Sequence, residues 1–207
     1  MELREVVGRR RMCGPTTPGA RCPPRVVRRA LAHALRAPSA GFSQGWDFLV
    51  LDDPADRERF WTTTAGEVPE EQMDSWLRGV RTAPVLILCL SDPDRYLDRY
   101  AEPDKGRTDR SPAHWPIPYW DVDTGMAALL ILLTAVDEGL GALFFGVPPT
   151  RHAAVRAAFG VPEGRRLVGV VSLGYAVPHR RSRSLRRGRR PFDEVVHGAR
   201  FGTPWSG

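Results

Sequence analysis

Arginine is the residue type with which this 207-residue chain is best equipped to act on a ligand. Arg9, Arg10 and Arg11 close the first amphipathic segment, and the run "HRRSRSLRRGRRP" (179–191) holds seven more, from Arg180 to Arg190. A guanidinium presents paired donors that match phosphate oxygens, so such clusters are candidate anion sites. The N-terminal trio also sits at a helix C-terminus, where cations are favoured without any ligand. For the C-terminal run three readings stay open: a solvated tail, nucleic-acid contact, or the grip on a small phosphorylated ligand. A nucleic-acid module would need aromatic or helical elements aimed at bases, and none adjoins these arginines. The five histidines (His33, His114, His152, His179, His197) show no metal-ligand spacing. Asp121 and Asp123 read as acids in the first turn of a helix and not as a catalytic pair. No strand is followed by GxGxxG and no GxxxxGK[ST] occurs, so neither a dinucleotide fingerprint nor a P-loop is present.

The elements that must position these residues follow from periodicity. Residues 3–11 predict a short helix. "PPRVVRRALAHALRA" predicts a second, with Val27, Leu31, Ala34 and Leu35 on its apolar stripe. "APSAGFSQG" is a loop before the strand "WDFLVLD", and Asp53 with Pro54 starts another helix. "PEEQMDSWLRGVR" reads as a helix, "PVLILCLS" as a strand buried on both faces, and residues 92–118 as a long excursion with little regular structure. Tyr119–Glu138 is the longest helix, apolar nearly all round and stopped by Gly139 and Gly141. Such a helix needs cover on every side, which implies a subunit interface. A strand "ALFFGV", a helix "PTRHAAVRAAFG" and a strand "RRLVGVVSLGYA" complete a single domain, with a basic arm from about residue 176. Mixed helices and non-alternating strands favour an α+β sandwich over a doubly wound sheet.

Composition narrows the class further. Apolar residues make up 42% of the chain, enough for a real core. The run "AALLILLTAV" is too short to cross a membrane, and the N-terminal segment lacks an apolar signal core, so the expectation is a cytoplasmic protein without membrane attachment. Cys13, Cys22 and Cys89 follow no metal spacing; their odd number argues for free thiols, with a Cys13–Cys22 disulfide as the alternative.

Four ordered segments carry a resemblance: the arginines closing the first helix, "RAPSAGFSQGWDFLVL", "YWDVDTGMAALLILLTAVDEGLGALFFGVP" and "RRGRRPFDEVVHGARFG". Together they span nearly the whole chain and resemble the nitroreductase family of flavin enzymes. The resemblance implies an α/β sandwich whose mixed, mostly antiparallel sheet is flanked by helices, in an intertwined homodimer with FMN at the interface. It also implies that NAD(P)H supplies electrons, through the flavin, to a small electron-poor acceptor such as a nitroaromatic or quinone. Nucleic acid is then unnecessary as a partner. A specialised dehydrogenase, dehalogenase or flavin-fragmenting enzyme of the same fold is the alternative within the class.

Carried over residue by residue, Arg10, Arg11 and Met12 match the family's N-terminal phosphate grip, and Arg187 and Arg189 its C-terminal Lys/Arg-x-Arg. Pro38, Ser39, Ala40, Phe42 and Gln44 match the loop that reaches the flavin of the second subunit. Two departures occur there: Phe42 stands where many relatives have Asn, and Gly45 where Pro is usual. Phe145 and Gly146 match the turn beside the flavin ring, although paired phenylalanines are more often core. Trp115, Tyr119 and Trp120 lie where relatives build the substrate channel, either to stack on a planar acceptor or to plug a core edge.

Residues 13–23 depart most. Read one base out of frame, codons for this segment permit V-R-A-Y-D-P-R-R-P-V-P, which follows the family pattern at each diagnostic place. A compensated frame slip and a naturally divergent loop both remain open, and the family's arginine position is occupied by Gly14.

Overall fold

A computed structural model describes residues 1–178 and 182–207. The chain forms two compact units, Met1–Val177 and Pro178–Gly207. In the first, four strands make one antiparallel sheet in the order β1-β2-β4-β3, where β1 is Trp46–Leu51, β2 Val85–Ser91, β3 Gly141–Phe145 and β4 Arg166–Gly174. Trp46 faces Ser91 across β1 and β2, Val85 faces Leu173 across β2 and β4, and Phe145 faces Val170 across β3 and β4. The strand pairs are antiparallel throughout, and parallel character is confined to the isolated bridge Met12–Ala142.

The uninterrupted apolar run of β2 follows from its central place. Val85, Ile87 and Cys89 point into one core, and Leu86, Leu88 and Leu90 into another, so the period-two alternation of a strand feeds both faces. The first core is closed by α2 (Pro24–Ala34) and α6 (Tyr119–Asp137), the second by α3 (Pro54–Ala65) and α7 (His152–Phe159). Helix α1 is Leu3–Arg9 and α4 is Ser75–Val80. The α2 stripe differs from expectation: Val26, Val27, Ala30 and Ala34 are buried, while Leu35 lies past the helix end and is exposed.

Residues 92–118 are more regular than their sequence implies. Helix α5 (Pro93–Ala101) opens there, capped by the Asp92 carboxylate, which accepts from the Asp94 amide at 3.1 Å. The same Asp-Pro start opens α3, where Asp53 accepts from the Ala55 amide at 2.8 Å. Proline at the first helical position has no donor to waste, and the aspartate satisfies one that remains.

Helix α6 is 19 residues long and, by length and composition alone, apolar enough to cross a membrane. Ala127, Ala128, Ile131, Leu132 and Ala135 are nonetheless buried in the chain's own core, against α2 and the sheet. Val122 and Leu129 are exposed, and Met126, Leu133 and Val136 are half-buried. These five recur at intervals of four and three, an apolar stripe along the helix.

The second unit contains a 3-10 turn, Arg183–Arg187, and a one-turn helix α8, Phe192–Val195. The Phe192 and Trp205 rings meet with centroids 6.2 Å apart. His179, Arg180 and Arg181, part of the basic run, lie outside the described residues.

Candidate functional site

The loop Pro38–Gly45 is held in a conformation that its residues would not choose alone. A 3-10 turn covers Ala40–Phe42, and Gly41, Phe42 and Gln44 have φ of 62°, 57° and 50°. The left-handed region is costly for a phenylalanine or glutamine, and such strain persists only where the surroundings impose it. Here three outside groups impose it. The Asp123 carboxylate on α6, 1% exposed, accepts from the Ala40 amide at 2.8 Å. Tyr96 on α5 donates its hydroxyl to the same oxygen at 2.8 Å. Arg99 Nε donates to the Gly41 carbonyl at 2.9 Å.

Close packing reinforces these bonds. A Cβ on Gly41 would come within 2.6 Å of the Tyr100 ring, and one on Gly45 within 2.4 Å of the Tyr96 ring and 2.8 Å of the Asp92 carbonyl. Gly45 therefore replaces the usual proline because α5 leaves no room for any ring at that position. Burial first, then the bond to Asp123 and its charge, push the Tyr96 phenol upward, so it remains a neutral donor. Asp121 serves different partners: it accepts from Ser91 Oγ at 2.6 Å and pairs with Arg166 at 2.9 Å. The two aspartates are thus structural acceptors, as their place in the helix implied.

The loop's own amides are largely consumed. Those of Phe42 and Ser43 bond to the Ser39 and Ala40 carbonyls, and that of Gln44 bonds to Ser39 Oγ. With Ala40 committed to Asp123, Ser39 and Gly41 supply the backbone donors that have no partner among the described residues. The expectation that Ala40 and its neighbours present amides to a cofactor narrows to these two. Pro38, Gln44 and Phe42 are exposed, the last to 76%.

The N-terminal arginines separate. Arg10 caps α1 through its amide, and its Nη1 is buried without a hydrogen-bond partner. A buried guanidinium nitrogen with no acceptor is costly unless an anion arrives to satisfy it. Arg11 instead folds back, donating at 2.9 Å to the carbonyls of Gly8 and Arg10, and is exposed. Met12 then joins the edge of β3 by its bridge to Ala142, and the Cys13 amide bonds to the Ala142 carbonyl at 2.8 Å. Cys13, Cys22 and Cys89 are all free. Burial raises each thiol above its ordinary value, that of Cys89 to about 12.

Two of the residues matched to the site pack inward. Phe145 ends β3 as part of the core, stacked on Trp61 at 5.7 Å and 14° with Trp76 at its edge. Its neighbour Gly146 is exposed, with open space around the position of a Cβ. Trp120 is 7% exposed and packs behind Tyr96 at 6.1 Å, so it is a wall and not an open stacking face. Trp115 and Tyr119 do come together, at 5.9 Å, and Tyr119 is 42% exposed. Tyr96, Tyr100 and Arg99, which hold the loop and its aromatic neighbours, escape the sequence reading because the charged segment of α5 looks irregular. In the second unit Arg187 and Arg189 are exposed and form no ion pair among the described residues.

Comparison with known proteins identifies the fold and the family. An NADH dehydrogenase of Thermus thermophilus is 28% identical over 172 residues, covering 74% of this chain and 77% of the relative. A protein of Archaeoglobus fulgidus, named as a candidate NADH dehydrogenase/NAD(P)H nitroreductase, is 29% identical over 153 residues, or 72% of this chain and 71% of its own. The crystal structure of a nitroreductase family protein from Streptococcus pneumoniae superposes with a TM-score of 0.71 at 20% identity, covering 95% of this chain and all of that one. The sequence model of the nitroreductase family matches residues 9–175, and the chain belongs to that family.

Proposed function

We propose that the protein is an FMN-dependent oxidoreductase that passes electrons from NAD(P)H to a small electron-poor acceptor, a quinone or nitroaromatic. The observation that carries the reading is the buried, unpartnered Arg10 Nη1, a cationic donor that a phosphate would satisfy. The names of the relatives support an oxidoreductase that uses nicotinamide. When bound, the flavin supplies the hydride and electron chemistry, and the overall exchange converts NAD(P)H, a proton and a quinone into NAD(P)+ and a quinol.

The chain's own residues bind and orient. Arg10 holds the phosphate, while Arg11 adds only general positive potential. Ser39 and Gly41 offer amides to the polar edge of the ring system, and Gly146 lets backbone approach without a side chain in between. Asp123 and Tyr96 move no proton; they fix the loop, with Tyr96 kept neutral by its burial.

The working unit in this reading is a homodimer. The stripe of exposed Val122 and Leu129 with half-buried Met126, Leu133 and Val136 asks for a partner, as does the neighbouring cleft of about 400 Å³ lined by Leu3, Val6, Leu130 and Leu133. A second copy seated there makes each site from two chains.

The experiment is direct. The purified protein should be yellow, with a band near ~450 nm as bound flavins show, and heat release should yield FMN. Anaerobic NADH or NADPH should bleach that band and menadione or a nitroarene restore it. A folded chain that takes up no FMN on titration contradicts the proposal.

A further inference from the structure

Charge pairing in residues 92–114 leaves an unusual remainder. Arg95 lies 3.8 Å from Asp92; Arg99 pairs with Asp104 at 2.7 Å and Glu102 at 3.2 Å. Arg110 pairs with Asp98 at 2.7 Å and Asp94 at 3.4 Å, and His114 meets Asp109 at 3.0 Å. Every acid of the segment is thereby engaged. Lys105 and Arg107 have no carboxylate partner among the described residues.

Both lie on aromatic rings instead. The Arg107 guanidinium carbon is 5.4 Å from the Tyr100 centroid and 5.9 Å from that of Trp115. Lys105 Nζ is 5.4 Å from Tyr100. Gly106, with φ of 71°, makes the turn between the two cations, and the Arg107 amide is tied to the Tyr100 carbonyl at 2.8 Å. A guanidinium laid over rings keeps its face covered and its edge donors free for a planar anion. Trp115 meets Tyr100 edge-on at 4.6 Å and Tyr119 at 5.9 Å, so the cations cap a continuous aromatic shelf.

The shelf borders the candidate flavin loop. The Tyr100 ring occupies the space where a Gly41 side chain would stand, and Arg99 of the same helix holds the Gly41 carbonyl. We propose that Arg107 and Lys105, set on the Tyr100–Trp115–Tyr119 shelf, form an acceptor subsite selective for planar aromatics that carry a carboxylate or similar anionic group. This rests on the reading of residues 38–45 as the flavin loop. The ring of the acceptor packs on the shelf, and its anionic substituent meets the two cations, neither of which is held in an ion pair among the described residues.

The test separates binding from turnover. The holoprotein is titrated calorimetrically with 4-nitrobenzoate and with its neutral counterpart, 4-nitrobenzyl alcohol, without nicotinamide. The carboxylate should bind about ten-fold tighter at low salt, as one charge-assisted contact provides. That preference should shrink at about 0.5 M salt, because the cations are exposed. In the Lys105→Gln/Arg107→Gln double variant the two affinities should converge, with the alcohol's affinity and the melting temperature unchanged. Equal affinities in the parent protein, or a preference that survives in the double variant, would overturn the subsite. Selective binding of 4-nitrobenzoate that neither NADH nor NADPH can reduce would support the subsite while counting against the oxidoreductase reading.

Discussion

The Tyr96 ring occupies the space beside residue 45, 2.4 Å from where a Cβ would stand, and its hydroxyl donates to Asp123 at 2.8 Å. One side chain therefore dictates glycine on the loop and supplies a donor to a buried acid. Gly45→Ala must push the ring or the Asp92 carbonyl aside, and overpacking of this kind costs roughly 1–3 kcal/mol. A lowered melting temperature is expected, and an unchanged one would show that the ring is elsewhere.

The same tyrosine sets an alkaline limit. Its folded-state value lies above its ordinary value of 10.0, chiefly through burial. A group raised on folding contributes stability that is present below its unfolded value and is lost as pH climbs toward the folded one. Resistance of the wild type to denaturant should therefore fall above about pH 10. Tyr96→Phe should start less stable, by the roughly 1 kcal/mol of a lost hydrogen bond, and show a flatter alkaline decline. Parallel declines in the two proteins would remove Tyr96 from the account.

Arg10 and Arg11 are adjacent in sequence but not equivalent in structure. Arg10→Gln should weaken FMN binding by about ten-fold or more, as loss of a charge-assisted contact worth roughly 1.5–3 kcal/mol requires. Riboflavin, which lacks the phosphate, should bind as before. Arg11→Gln should change little, because Arg11 bonds to carbonyls of its own helix end. The Arg187→Ala/Arg189→Ala double variant, put through the same pair of titrations, tests the phosphate role that the family resemblance gives these two arginines. Equal losses for FMN and riboflavin would place the arginines away from the phosphate.

Sedimentation tests the assembly. Obligate homodimer interfaces typically bury more than ~2,000 Å², and Leu129 lies midway along the uncovered stripe of α6. Leu129→Glu places a charge in that stripe and should give monomers that lose FMN. A parent protein that is already monomeric and yellow would leave the stripe without this role.

How far the sequence can be read is uneven for physical reasons. The strand "PVLILCLS" and helix Tyr119–Asp137 are readable because apolar runs report burial directly. Helix α5 is not, although Asp92-Pro93 repeats the start signal that Asp53-Pro54 gives; its charged residues mask one apolar face, on which Tyr96 is buried. The loop at 38–45 is found by resemblance, but its support is not, since Asp123 and Tyr96 stand 83 and 56 residues from Ala40 and local patterns do not encode such pairing. Phe145 and Trp120 illustrate the reverse limit: an aromatic in a functional segment reads the same in sequence whether it faces a ligand or the core.

The segment after Met12 has its own place in the fold. Thr16 is 1% exposed; its amide donates to Thr82 Oγ1 at 2.8 Å, and the two hydroxyl oxygens are 3.1 Å apart. A Cβ on Gly174 would lie 2.6 Å from Thr16, so nothing larger fits there. These contacts divide the family pattern into a part that fits this fold and a part that does not. At Gly14 the nearest obstacle to a Cβ is Leu143 Cδ2 at 3.8 Å, an ordinary contact. Gly14→Arg should therefore fold normally, restore the arginine of the family pattern, and tighten FMN binding by about ten-fold, as one new charge-assisted bond allows. Thr16→Tyr, the companion change in the shifted frame, should break the pair with Thr82 and lower the melting temperature, because its ring has no space. Replacing residues 13–23 wholesale then gains affinity and loses stability together. Flavin titrations and thermal melts of the two single variants check this, and a Thr16→Tyr protein that melts higher than the parent would return the segment to the reading of a damaged family motif.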